Sequence, residues 1–164
     1  VLTDRRIPGG TSATARSATL RQADSLLAEL LLERAPEATW VLPSELRRAA
    51  KRAAGMVPSP DQMGQSVMRA AGLKDVPDPL RTYVRQLVAL VGGGRFALIP
   101  AALYITPGPA DSITVQLSAV LADGRSGRVV YRTLAVGRGA TFVDAYLAAL
   151  DTVLPSEAPP PPTP

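Results

Sequence analysis

A strict two-residue alternation constrains this chain more than any other feature. In Ser112 to Leu121, residues Ile113, Val115, Leu117, Ala119 and Leu121 fall on one side, and Ser112, Thr114, Gln116 and Ser118 on the other. That is the period of a strand with one buried face. Asp123-Gly124-Arg125-Ser126-Gly127 follows, a cluster of turn formers with two glycines. Arg128 to Val136 returns, with Val130, Arg132, Leu134 and Val136 on one face and Val129, Tyr131, Thr133 and Ala135 on the other. Two β-rich runs around a short Gly-containing loop predict an antiparallel hairpin. A further β-rich run from Arg95 onward makes three consecutive strands, the sheet on which the helices are expected to pack.

Helical spacing dominates the rest. Thr11 or Ser12 can cap a long first helix, with Leu20, Ala23, Leu27, Leu30 and Leu31 as its apolar stripe. Thr39-Trp40-Val41-Leu42 reads as a short buried strand stopped by Pro43, and Ser44 as the cap of a second helix. Ser59-Pro60-Asp61-Gln62 carries cap, proline and capping-box positions, and predicts a helix running to Gly72. Asp78-Pro79 opens another helix in the same way, ended by Gly92-Gly93-Gly94. Thr141 caps a last helix whose buried face is Phe142, Tyr146, Leu147, Leu150 and Val153. The expected fold is α+β: a mixed sheet of about four strands, a three-strand meander plus the Trp40 strand, covered by helices. Residues 1–10 read as an extension or edge strand, 11–154 as one domain, and 155–164 as a proline-rich tail.

Composition then narrows the chemistry. The 164 residues contain no Cys and no His. Disulfides, thiol catalysis and zinc–thiolate sites are excluded within this chain, and so are His-based triads and HExxH zinc sites. The expectation is a protein that is not an enzyme and needs no cofactor or metal. Aromatic residues make up only 4%, so the core must be built from Leu, Val, Ile and Ala. No run reaches the ~20 apolar residues of a membrane span. Net charge is +4, and it is uneven: 14 basic and 9 acidic residues lie up to Arg95, against 4 and 5 beyond it. A positive surface on the helical half suits anionic partners.

The order and spacing of SLLAELLLERAPEATWVLPSELRRAA, LVALVGGGRFALIPAAL, VQLSAVLADGRSGRVVYRTLAVG and FVDAYLAAL resemble the amino-terminal domain of the TolB translocation protein and its relatives. Those relatives include the curli-secretion lipoprotein family and the outer-membrane activators of penicillin-binding proteins. Asp123, Ser126 and Gly127 occupy the places of that family's D-x-x-T-G hairpin turn, with Ser in place of Thr. The resemblance implies a bacterial envelope protein, periplasmic or associated with a membrane surface, that binds other proteins and does not catalyse.

Candidate sites are few. Gly92-Gly93-Gly94-Arg95 lacks the GK[ST] of a phosphate loop and follows a helix where that motif precedes one. Asp123, Gly124 and Gly127 lack the further carboxylates of a calcium loop. Arg47, Arg48, Lys51 and Arg52 are the densest basic cluster, on one side of a helix. They are the candidate contact for a protein partner or anionic lipid headgroups; without interleaved aromatics, nucleic acid is disfavoured. The expected function is that of a non-catalytic accessory or structural subunit of a bacterial cell-envelope or membrane protein complex, a photosynthetic membrane complex being one such assembly. The alternative is a periplasmic small-molecule or peptidoglycan-binding module, which requires a pocket lined by polar groups.

Overall fold

The alternating runs form a three-stranded antiparallel sheet in the order β1 (Phe96–Pro107), β2 (Ile113–Asp123), β3 (Val129–Gly139). The structure, a computed structural model, describes residues 13–155. The expected extension at 1–10, the Thr11 or Ser12 cap and the tail after Pro155 lie outside the described residues. Four helices accompany the sheet: α1 (Ala13–Arg34), α2 (Pro43–Arg52), α3 (Leu80–Leu90) and α4 (Phe142–Val153). The α+β class is as expected.

Both faces of the sheet carry a core. On the first face, Ile113, Val115, Leu117 and Ala119 of β2 meet Ala23, Leu27, Leu30 and Leu31 of α1 and Ala145, Tyr146, Ala149 and Leu150 of α4. On the second, Ile99 and Ala101 of β1 and Val120 and Ala122 of β2 lie beneath Met68, Val76, Leu80 and Leu87. The sequence pattern implied one buried face. The end of β2 is buried on both, which is why its alternation breaks down at Val120 and Ala122. Leu20, expected in the apolar stripe of α1, is instead 53% exposed.

α4 doubles back from β3 and lies against it. Its start is fixed by a capping box. The Asp144 backbone N–H donates to Thr141 Oγ1 at 3.2 Å, and the Thr141 N–H donates to Asp144 Oδ2 at 3.1 Å, an arrangement worth about 1 kcal/mol. Phe142 and Tyr146 stack one turn apart, with ring centroids 5.5 Å apart. Gly137 and Gly139 sit beneath the helix with backbone against backbone: a Cβ at Gly137 would intrude on Ala145 O and Ala149 N. At the other end of α4, Arg34 donates to Asp151 and to the Leu154 carbonyl, tying α1 to α4.

Three local expectations are corrected. Thr39–Leu42 is not a strand, and among the described residues the sheet has three strands, not four. Leu42 is the N-cap of α2 and Pro43 its first residue, so the proline starts a helix instead of stopping a strand. Trp40 folds back locally, its Nε1 donating to the Ala35 carbonyl at 3.1 Å, and packs against the first core. The β1 edge is also a poor host, since Pro100 has no N–H and the ladder is interrupted between Pro100 and Ala102. An isolated antiparallel bridge, Asp75 to Arg128, flanks the start of β3. Secondly, residues 60–72 form no α-helix but two 3-10 turns, Pro60–Gln62 and Gln65–Arg69, separated by Gly64 at φ +74°. Ser59 does cap the first, accepting from the Asp61 N–H at 3.4 Å. Thirdly, Pro79, not Asp78, is the N-cap residue of α3; the Asp78 carboxylate still accepts from Thr82 Oγ1 at 3.0 Å and from Arg81.

The hairpin turn is as read. Asp123 Oδ1 accepts from the N–H groups of Arg125 (3.0 Å) and Ser126 (2.8 Å) and from Ser126 Oγ (3.0 Å). Those bonds, led by the one from the Ser126 backbone, hold the Asp123 carboxyl below the usual carboxylate range. A depressed folded-state pKa contributes stability that is complete above the unfolded-state pKa and is lost as pH falls through the folded-state value. Asp123→Ala is therefore expected to flatten the decline of the denaturant midpoint on acidification below pH 4, roughly the ordinary carboxylate value. An unchanged pH profile would show that the turn contributes nothing.

Candidate functional site

The four cations of the basic helix part company in the structure. Arg48, Lys51 and Arg52 stand exposed on α2. Arg47 turns inward. Its Nε lies 3.0 Å from each Asp61 carboxylate oxygen, its Nη2 lies 2.8 Å from Asp61 Oδ1, and Nη2 also donates to Asp24. The bonds to Asp61 and Asp24 raise the Arg47 pKa against the opposing effect of partial burial. One guanidinium thus ties α1, α2 and the first 3-10 turn together. Three of the four proposed contact residues remain on the surface, and the fourth belongs to the fold.

That ion-pair cluster borders a cleft of about 510 Å³. α1 supplies Leu20, Ala23 and Asp24, the 3-10 segment supplies Asp61, Gln62, Gln65 and Ser66, and β1 supplies its irregular Pro100–Leu103 stretch. Leu117 and Tyr146 complete the lining from β2 and α4. The cleft exists because the interrupted β1 edge meets a segment built of short turns, which cannot seal against it as a helix would. Tyr146 is 2% exposed. Burial first, and the nearby Asp24 carboxylate second, push its pKa up.

A different surface lies at the opposite edge of the sheet. Among the described residues β3 pairs with β2 alone within the sheet, and its start is flanked where Val129 N–H donates to the Lys74 carbonyl at 2.8 Å. Beyond that point Val130, Tyr131, Leu134 and Val136 are 55%, 48%, 64% and 47% exposed. Leu134 lies beside Ser118 and Ala102 across the strands, and Val136 beside Gln116 and Tyr104. The second sheet face is therefore open here, with Leu134, Val136 and Tyr104 around the polar Ser118 and Gln116, while its other half is roofed by Met68, Val76 and α3. The two edges differ in composition. β1 carries Pro100, Pro107 and an irregularity in its ladder, all devices that blunt an edge. β3 has no proline, although its ladder too is interrupted, between Leu121 and Ala122, where Val130 has no opposite residue.

The sequence named Arg47 and Tyr146 but did not join them, and it gave no role to Asp24 or Asp61. These four lie on four separate elements, and no local pattern links them. The edge was more legible: Val130, Leu134 and Val136 already stood on one side of the expected strand. Among the described residues, no helix is long and apolar enough to cross a membrane. No family model, no curated protein and no solved structure matches this chain.

Proposed function

We propose that this protein is a non-catalytic accessory subunit of a bacterial cell-envelope or membrane protein complex, of the kind its TolB-like sequence pattern suggests, and that it docks through β3. The observation that carries this reading is the proline-free β3, an edge strand among the described residues, with its exposed Val130, Tyr131, Leu134 and Val136. An unpaired strand edge offers backbone donors and acceptors to an incoming strand, and alternate side chains supply specificity. The lack of His and Cys supports binding over catalysis. Arg48, Lys51 and Arg52 provide a second, electrostatic contact for acidic partners or lipid headgroups.

Replacing Leu134 and Val136 by Lys tests this. Both side chains are about half exposed or more, so fold stability is expected to stay within about 1 kcal/mol of wild type. Co-purification with partner subunits from gently solubilised native membranes is expected to disappear. If the wild-type protein elutes alone, the subunit reading is wrong; if the Lys variant retains its partners, β3 is not the docking edge. A second reading, a periplasmic small-molecule or peptidoglycan-binding module, draws on the cleft beside Tyr146.

A further inference from the structure

β3 offers a partner charge as well as an apolar edge. Between Arg132 and Arg138 its pairing with β2 is unbroken, so its side chains alternate regularly. Arg132, Leu134, Val136 and Arg138 share the second face, two apolar residues bracketed by two cations. The cations are unanswered. Across the ladder Arg138 meets Thr114 and Arg132 meets Val120, so no acid stands opposite either. Arg138 is exposed, and no carboxylate pairs with it among the described residues. Arg132 donates to the Met68 carbonyl, but its Nη2 is buried and has no acceptor among the described residues. An unmet donor of that kind is costly and rare. On the first face Ala135 and Gly137 lie beneath α4, which leaves the second face and the edge to a partner.

We infer that the segment received by β3 is an extended strand of a partner protein with the pattern acidic-x-apolar-x-apolar-x-acidic. The inference rests on the reading that β3 is the docking edge, and it names what docks there. Opposite residues of neighbouring strands have Cβ atoms about 5 Å apart; unlike charges there attract and like charges repel. A strand of this pattern sets its carboxylates opposite Arg132 and Arg138 and its apolar side chains opposite Leu134 and Val136. It brings one carboxylate to the guanidinium that lacks an acceptor and the other to the cation that lacks a counter-ion. The pattern reads the same in both directions, so it serves a parallel or an antiparallel partner. A second copy of this chain does not fit. Laying β3 antiparallel on itself with Leu134 opposite Val136 sets Arg132 opposite Arg138 at both ends, and a parallel in-register pair sets each arginine against its own copy. Like charges in those places are destabilising.

The test is titration of the full chain at low salt with the peptide acetyl-TETVTVTET-amide, its Lys counterpart TKTVTVTKT and its neutral counterpart TQTVTVTQT, followed by backbone amide NMR shifts. Saturable shifts along β3 are expected with the Glu peptide, about ten-fold weaker binding with the Lys peptide, and an affinity between the two for the Gln peptide. In about 1 M salt, where the Debye length falls to about 3 Å, the three affinities are expected to converge. Arg138→Glu alters an exposed side chain and should leave the fold intact. Each charged peptide then meets one unlike and one like charge, so the Glu and Lys peptides are expected to bind within about two-fold of each other. The inference is overturned if the Glu peptide does not saturate by roughly 10 mM, ten times a millimolar Kd, or if the Lys or Gln peptide binds as tightly. It is overturned equally if the Glu-peptide shifts are confined to the basic residues of α2, or if Arg138→Glu keeps the full preference. Equal binding of all three peptides along β3 would remove the acidic pattern and keep the docking edge. Loss of the docking edge itself is read separately, from co-purification of the Leu134 and Val136 variants.

Discussion

Gly137→Ala is expected to destabilise the protein by about 3 kcal/mol or more, although it adds a single methyl group. The reason is what the methyl would meet. A Cβ at this position collides with Ala145 O and Ala149 N and would lie 2.9 Å from Ala148 C, all backbone atoms of α4. Side chains can rotate away from an intruder, but a helix backbone must move as a unit. Lifting α4 off β3 would loosen Ala145, Ala149 and Leu150, each fully buried at 0% exposure. Gly139 repeats the constraint, since a Cβ there would lie 2.6 Å from Ala145 N. The control is Gly94→Ala. At Gly94 a Cβ would meet nothing within 4 Å, and the change is expected to stay within about 0.5 kcal/mol. Urea unfolding of the two variants in parallel gives the comparison. Equal stabilities would mean that the close approach of α4 to β3 is wrong.

Met68→Ala is expected to lose about 3 kcal/mol, within the usual range for emptying a buried methionine site. Met68 is at 0% exposure and lies in the second core with Val76, Leu80, Leu87, Ile99 and Val120. Its location makes the loss informative. Residues 57–76 contain two short 3-10 turns and isolated bridges at Val57 and Asp75, which have little stability of their own. That segment is held by what it inserts and by what reaches it. Met68 is its deepest insertion, and Arg132 of β3 donates to the Met68 carbonyl from across the sheet. The variant should therefore show a lower urea midpoint and also faster amide exchange in 60–72 than in β2. Uniform acceleration throughout the chain would show that the segment is not a separately anchored unit. Because Gln65 and Ser66 line the cleft, the same variant should also weaken any ligand bound there.

What could be read from the residues follows the range of the forces involved. The three strands, the Asp123–Gly127 turn and the Thr141 cap were legible because each is fixed by contacts within a few positions. Alternation, a side chain accepting backbone N–H groups, and a capping hydroxyl all leave their mark in a short window. Thr39–Leu42 and Ser59–Gly72 were misread for the same reason. Their local signals fit a strand and a helix, but Pro43 serves equally well as the first residue of a helix, and Gly64 at positive φ divides the second segment. Of the sites, the β3 edge was half legible, as a strand with Val130, Leu134 and Val136 on one side. The cleft was not, because Asp24, Arg47, Asp61 and Tyr146 meet only through the packing of four elements.

The chain by itself determined that there would be a meander, that helices would cover it, and that no thiol or imidazole chemistry would occur within it. Period, turn residues and the absence of two residue types settle those points without reference to any distant neighbour. Only the tertiary structure decided which strand edge stayed open among the described residues, which arginine of the basic helix was consumed internally, and that Asp24, Asp61 and Tyr146 would line one cleft. These depend on which faces are covered. Coverage is set by how whole elements pack against one another, a property that no short stretch of sequence contains.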